Sequence, residues 1–317
     1  MSWPRRRSKA SPALRTAVRG AAGACVLASV AVPLLRRRLR VPAPLTVAAC
    51  ASGPLALAVL QPRSKKRDVA LFALQMWGFT MIHELPYDRP EQLRERLRTR
   101  YPIAIDRALG AGSLPNARLQ RALARFGRAN ALDRALTWVH WLWFLEPYAA
   151  LILILARHNE RFPRAARQLA ATFDAGCVVY FAIPTAPPWW ASEQGLTGEE
   201  VRRVMVEVGE ETWGRAWEPM YAALGGNPWA AMPSLHFATA LLAAILLAEA
   251  GPGEGTMGWS YALALGFALV YLGEHYVTDL LAGAALVAAV RRGEPLVEPL
   301  VNRVNAALQR LERIAAA

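Results

Sequence analysis

Histidine is scarce in this chain, five residues in 317, and two of the five stand in patterns able to act together. One lies in PSLH (Pro233, Ser234, Leu235, His236), directly before an apolar run. The other lies in EHYVTD, where His275 and Asp279 are four apart. At 3.6 residues per helical turn, that spacing puts both side chains on one face within reach of each other. Asp279 accepting a hydrogen bond from one ring nitrogen of His275 leaves the other nitrogen unprotonated, an activated nucleophile. Ser234 suits the N-cap of the helix that follows. The N–H groups of Leu235, His236 and Phe237 behind it would face an anion, phosphate above all. A protonated His236 could then hand a proton to a leaving oxygen. Each motif alone also has a plain structural reading, a helix cap or an i,i+4 support. In sequence order and on one membrane side, they point to nucleophile, orienter, phosphate cradle and general acid.

The elements that must carry these residues are membrane helices. Apolar types make up 54% of the chain and charged types only 19%, against about 25% charged in a soluble domain. Apolar blocks alternate with arginine clusters. This excludes a disordered chain and a small disulfide scaffold. The three cysteines, Cys25, Cys50 and Cys177, have no paired spacing suited to zinc or a disulfide framework. Stretches of about 20 apolar residues predict spans at 20–35, 41–60, 69–85, 135–156, 168–188, 236–250, 257–273 and 276–290. The last six carry the plainer pattern; 20–35 is short, and 41–60 holds Pro42, Pro44 and Pro54. Basic residues followed by an apolar stretch mimic a signal peptide, but Arg36, Arg37, Arg38 and Arg40 follow at once, which predicts a retained anchor or hairpin. The expected fold is an all-α polytopic bundle. It comprises a basic region 1–68 with one or two membrane segments, a six-helix core 69–292 and an amphipathic tail 293–317.

Arginine bias gives sidedness. Arg157, Arg161, Arg164 and Arg167 mark the loop 157–167 as cytoplasmic, as do RSKKR at 63–67 and Arg291–Arg292. The loop 189–232, with seven glutamates against three arginines, faces outward, so both histidine motifs start spans on the outer side. RRRLR at 36–40 and the arginine-rich stretch 86–134 run against the rule. Within 117–132, Leu119, Leu123, Phe126 and Ala129 alternate with Arg118, Arg121, Arg125 and Arg128 at helical spacing. This is a basic amphipathic helix, either lying on lipid headgroups or simply solvated. Thr197 and Glu200 form the capping-box pattern of another border helix, with Val201, Val204, Met205 and Val208 as its apolar side. His140 and Glu146 in WVHWLWFLEP are read as structural polar groups at a Pro147 kink. Trp138, Trp141, Trp143, Trp189 and Trp190 are read as interface belts. His83–Glu84 lacks the second histidine of a zinc-protease helix.

PSLH followed 39 residues later by HYVTD resembles the second and third signature motifs of the type-2 phosphatidic acid phosphatase superfamily. PTAPPWW at 184–190 and NPWAAMPSLH at 227–236 are similar to its bacterial branch related to inositol phosphorylceramide synthases. The resemblance covers roughly 69–290. It implies that His275 attacks phosphorus to form a phosphohistidine, that Asp279 orients it, and that His236 protonates the leaving group, with no metal or other cofactor. The chain departs from the phosphatase pattern in three places. PTAPPWW has no cation where the first motif carries Lys and Arg-Pro, Leu269 replaces an Arg six residues before the third-motif His, and Leu235 replaces the Gly of PSGH. A phosphoryl group in transfer needs compensating charge, and Arg89, Arg94, Arg100, Arg202 and Arg203 are the candidates to supply it.

The expected activity is transfer of a phospho-headgroup from a membrane phospholipid to an alcohol. The alternative is hydrolysis of a lipid phosphate or polyprenyl (di)phosphate with water as acceptor. A scaffold or transporter is the non-enzymatic alternative, disfavoured because the ionisable residues cluster at one border rather than at mid-membrane. The arginines follow no nucleic-acid motif, so no nucleic-acid partner is expected. The expected location is the cell membrane, with the site on the extracytoplasmic face; the oligomeric state is left open.

Overall fold

The computed structural model describes residues 11–124, 128–224 and 227–316. It is helical throughout: α1 (Pro12–Leu39), α2 (Ala43–Leu60), α3 (Lys65–His83), α4 (Pro90–Glu95), α5 (Arg100–Leu109), α6 (Pro115–Leu123), α7 (Ala131–Leu142), α8 (Glu146–Arg157), α9 (Phe162–Ala182), α10 (Pro188–Glu193), α11 (Val204–Trp213), α12 (Trp217–Leu224), α13 (Leu235–Ala250), α14 (Pro252–Tyr271) and α15 (Val277–Ala316). Among the described residues the only extended pairing is two isolated bridges, Arg98 with Thr185 and Thr185 with Ala230. The all-α expectation is met.

The chain forms two compact units, one of residues 1–88 and 292–317, the other of residues 89–291. In the first, α1, α2 and α3 pack side by side. Gly53 of α2 lies so close to Ser29 of α1 that an added Cβ would sit 2.3 Å from its Oγ, a small-residue contact of the kind that joins membrane helices. α1 runs 28 residues rather than the short stretch expected at 20–35. Arg36, Arg37 and Arg38 occupy its last turn, where cations suit the helix dipole. Arg36 and Arg37 both pair with Asp88, at 3.0 and 2.6 Å. Of the three prolines at 41–60, Pro42 is the N-cap of α2, Pro44 sits in its first turn and only Pro54 is interior, so two of them start the helix rather than break it.

Among the described residues, α1 and α2 are the two helices long and apolar enough to cross a membrane, and α7 with α8 passes as one span bent by 54°. This reverses the sequence ranking, in which those two segments were the weakest. α9 starts before its predicted segment, 168–188, ends at Ala182, and carries Gln168 and Thr172, both turned inward. α14 carries Gly255, Gly258 and Gly266 against its neighbours. The α7–α8 bend has a local cause. The N–H groups of Trp143, Phe144 and Leu145 bond three residues back, to His140, Trp141 and Leu142, and Pro147 opens α8 without an N–H to continue the ladder.

Two expected border helices differ. α6 ends at Leu123, and Arg125 and Phe126 lie outside the described residues. The buried side of α6 is Asn116, Ala117 and Gln120, while Leu123 is exposed. Arg118 bonds Gly110 O, and Arg121 pairs with Glu199 and Ser113. The helix therefore turns polar side chains inward to meet backbone carbonyls, which a stripe of apolar residues cannot signal. α11 starts at Val204 and not at Thr197, whose hydroxyl bonds Glu199 O instead. Val201, Val204, Met205 and Val208 are nonetheless all buried, as their spacing predicts.

Candidate active site

The site lies at the N-terminal ends of α13 and α15, within the second unit. Ser234 is the N-cap of α13, and its Oγ accepts from the Phe237 N–H at 3.2 Å. Its own N–H donates to Asp279 O at 3.0 Å, tying the two helix starts together. The Tyr180 hydroxyl donates to Pro233 O at 2.8 Å and receives the Leu235 N–H at 3.3 Å. Two of the three N–H groups expected to cradle an anion are therefore bonded inside the protein. Leu235 is buried over Gly176 of α9, where an added Cβ would lie 2.5 Å from Leu235 Cδ2. The bulky side chain at this PSLH position fits because its neighbour on α9 has none.

α15 begins at Val277, so His275 sits before the helix rather than within it. The chain reverses at Gly273, whose φ of +80° places it in the left-handed region. An added Cβ there would meet Arg202 O at 2.4 Å. Asp279 stands at the third helical position, where its Oδ2 accepts the Tyr276 N–H at 2.9 Å, one half of a capping box. The same oxygen is 3.3 Å from His275 Nδ1. The four-residue spacing thus brings the pair together through a turn and a cap, not through one helical face.

The remaining donors of the α15 start are taken by Asp106 of α5. Its carboxylate accepts the Val277 N–H at 2.8 Å and the Thr278 N–H at 2.9 Å, together with the Thr278 hydroxyl. From α6, Asn116 Nδ2 donates to Val270 O and His275 O at 2.7 and 2.9 Å. Gln120 Nε2 donates to Tyr271 O and Arg202 O at 2.8 and 2.9 Å. All three polar side chains are buried. A buried polar group is tolerable only when bonded, and here the bonds fix the turn that presents His275.

His236 Nδ1 and His275 Nε2 are 3.2 Å apart, so Asp279, His275 and His236 form a continuous chain of contacts. Asp279 is fully buried and His275 is 4% exposed. A third histidine joins them. The His140 ring lies 5.1 Å from that of His236, and the Trp143 ring lies 4.1 Å from it on the same α7–α8 bend. His140, read from the sequence as a structural polar group, and Trp143, read as an interface residue, thus both lie against His236. Their three-residue spacing at the end of α7 was the one sequence signal that could have found them.

Of the five candidate cations, only Arg203 is built into this neighbourhood. Its Nε and Nη2 bond Glu274, next to His275, at 2.9 and 3.1 Å. Nη2 also bonds the Tyr221 hydroxyl at 2.6 Å, and the guanidinium lies 4.0 Å from the centre of the Trp189 ring. Burial opposes both charges, but their mutual attraction overrides it. The Glu274 carboxyl is held below its ordinary range and the Arg203 guanidinium above its own. Arg202 pairs with Glu207, Arg94 lies 5.9 Å from the Trp229 ring centre, and Arg89 and Arg100 are exposed.

The family model described as the PAP2 superfamily matches residues 103–291, more than half of the chain and all of the side chains named around the two rings. No curated protein and no solved structure matches the chain.

Proposed function

The chain belongs to the PAP2 superfamily, and on that premise we propose that it transfers a phospho-headgroup from a membrane phospholipid to an alcohol through a phosphohistidine at His275. Members of this superfamily are phosphatases and phosphotransferases, and with α1 and α2 the chain is an integral membrane protein. The observation that carries the reading is the buried contact chain from Asp279 through His275 to His236.

Asp279 holds the proton on His275 Nδ1, leaving the Nε2 lone pair to attack phosphorus. As the N–P bond forms, the bond from phosphorus to the lipid oxygen breaks, and His236 gives its proton to that oxygen. In the second half the acceptor hydroxyl gives its proton to His236 and attacks phosphorus, and the N–P bond breaks. Arg203, paired with Glu274 next to His275, is the candidate cation for this path. Its bonds to Glu274 and Tyr221 use Nε and Nη2, leaving Nη1 outside them for a phosphoryl oxygen. PTAPPWW and NPWAAMPSLH, similar to the branch related to inositol phosphorylceramide synthases, support inositol as part of the headgroup or acceptor.

Glu249, at the far end of α13 from the site, pairs with Arg164 and Arg291. By the arginine rule that end is cytoplasmic, which supports a site on the extracytoplasmic face of the cell membrane.

The test is turnover of a phosphorus-labelled phospholipid by purified protein, with and without inositol. His275→Ala should lower turnover by about 10⁴-fold or more and abolish acid-labile labelling of the protein. Retained turnover and labelling would defeat the reading. Release of the free phospho-headgroup alone (free phosphate from a phosphomonoester lipid), unaffected by inositol, would replace transfer with hydrolysis.

A further inference from the structure

We propose that His140 and Trp143 are positioning residues that clamp the His236 ring so that its proton reaches the leaving oxygen. This rests on the phosphohistidine reading above and adds a function for the α7–α8 bend, which that reading leaves unused.

The geometry runs from the bend outward. Tightening of the last turn of α7, where the Trp143 N–H bonds His140 O at 3.1 Å, keeps two ring side chains three residues apart on one side of the helix. Both rings lie against His236, at 5.1 Å with a 34° tilt for His140 and 4.1 Å with a 50° tilt for Trp143. Trp143 is itself fixed to α13, since its Nε1–H donates to Thr239 Oγ1 at 2.8 Å, and that hydroxyl donates to Leu235 O at 2.7 Å. The clamp therefore holds α13 at both the histidine and the turn after it. His140 is 5% exposed, and its buried Nδ1 has no hydrogen-bond partner among the described residues. It meets His236 ring to ring at a 34° tilt, so an apolar ring of similar size should serve.

In the half-reaction that forms the phosphohistidine, where His236 is the acid, a group that positions it matters only when the leaving group needs a proton. Phosphatidic acid, presented in mixed micelles, loses an alkoxide and needs one. p-Nitrophenyl phosphate loses a stabilised phenolate and does not. Displacement of a catalytic group by about 1 Å costs on the order of 100-fold. His140→Ala and Trp143→Ala should therefore slow single-turnover formation of the phosphoenzyme from phosphatidic acid by about 100-fold and from p-nitrophenyl phosphate by less than about threefold. His140→Phe should restore the rate from phosphatidic acid to within about threefold of wild type.

His140→Phe as impaired as His140→Ala would overturn the clamp, as would equal losses on both substrates. His275→Ala separates this failure from that of the underlying reading: it should abolish both reactions, and its full activity on both would sink the phosphohistidine itself.

Discussion

The two helices that bring the histidines together start in opposite ways. α13 caps itself, with Ser234 accepting from an N–H three residues ahead. α15 is capped by Asp106, which precedes Val277 by 171 residues and belongs to α5. His236 follows its cap within the first turn and is positioned by local chemistry. His275 sits ahead of its helix and is positioned by Asp106, Asn116 and Gln120 on distant elements. The proposed acid thus rests on a local motif, whereas the proposed nucleophile rests on tertiary structure. The α5–α6 segment becomes the support on which the nucleophile depends.

Asp106→Ala breaks the comparison where the expected effect is largest. It orphans the Val277 N–H, the Thr278 N–H and the Thr278 hydroxyl. At about 1–3 kcal/mol for each buried unsatisfied donor, the loss should reach roughly 3 kcal/mol or more. Thermal unfolding in detergent should show a lowered midpoint, and turnover should fall by about 100-fold as the turn relaxes. Asp106→Asn keeps an accepting oxygen and should recover part of both. An unchanged midpoint and turnover in Asp106→Ala would mean that α15 holds His275 without α5.

The same contrast explains what could be read in advance. The Ser234 cap, the buried face of α11 and the pairing of His275 with Asp279 all depend on residues within a few positions of each other. Local periodicity and capping chemistry carry such information. The HxxxD spacing pointed to the right pair through the wrong geometry, because four residues span a turn and a cap as readily as one helical face. Asp106, Asn116 and Gln120 were invisible for a physical reason: each bonds backbone atoms more than 80 residues away, and a backbone atom has no residue type to recognise. In a stretch rich in arginine their neighbours suggested a lipid surface or a solvated face, yet Arg118 and Arg121 bond Gly110, Glu199 and Ser113 within the protein. Leu235 in place of glycine could be understood only once Gly176 lay beneath it.

Glu274→Gln sharpens the comparison with an intermediate effect. The Glu274–Arg203 pair sits at the turn before α15, whereas the α13 cap is a hydroxyl that does not titrate. Hydrogen bonds to a charged partner contribute about 1.5–3 kcal/mol. Because the Glu274 carboxyl lies below its ordinary value of 4.5 when folded, the stabilisation is fully present above that value. It is lost only as pH falls through the lower, folded value. The difference in unfolding midpoint between wild type and Glu274→Gln should therefore be constant from about pH 8 to pH 5 and shrink below about 4.5. A difference that already shrinks near pH 6 would show that the pair is not held as the contacts indicate.

Ser234→Ala is the smallest and most local change. It removes the bond to the Phe237 N–H but leaves the backbone contact from Ser234 N–H to Asp279 O untouched. Loss of a serine N-cap costs about 1 kcal/mol, and a hydroxyl cap gives no reason for that cost to vary with pH. The midpoint should fall by a constant amount across the range in which the Glu274 effect changes. Turnover should fall by less than about tenfold, since His236 keeps its place between the rings of His140 and Trp143 and an error of about 1 Å is what costs 100-fold. A loss in Ser234→Ala as large as in Asp106→Ala would erase the distinction: the Ser234 hydroxyl would then be acting on the substrate and not only on its helix.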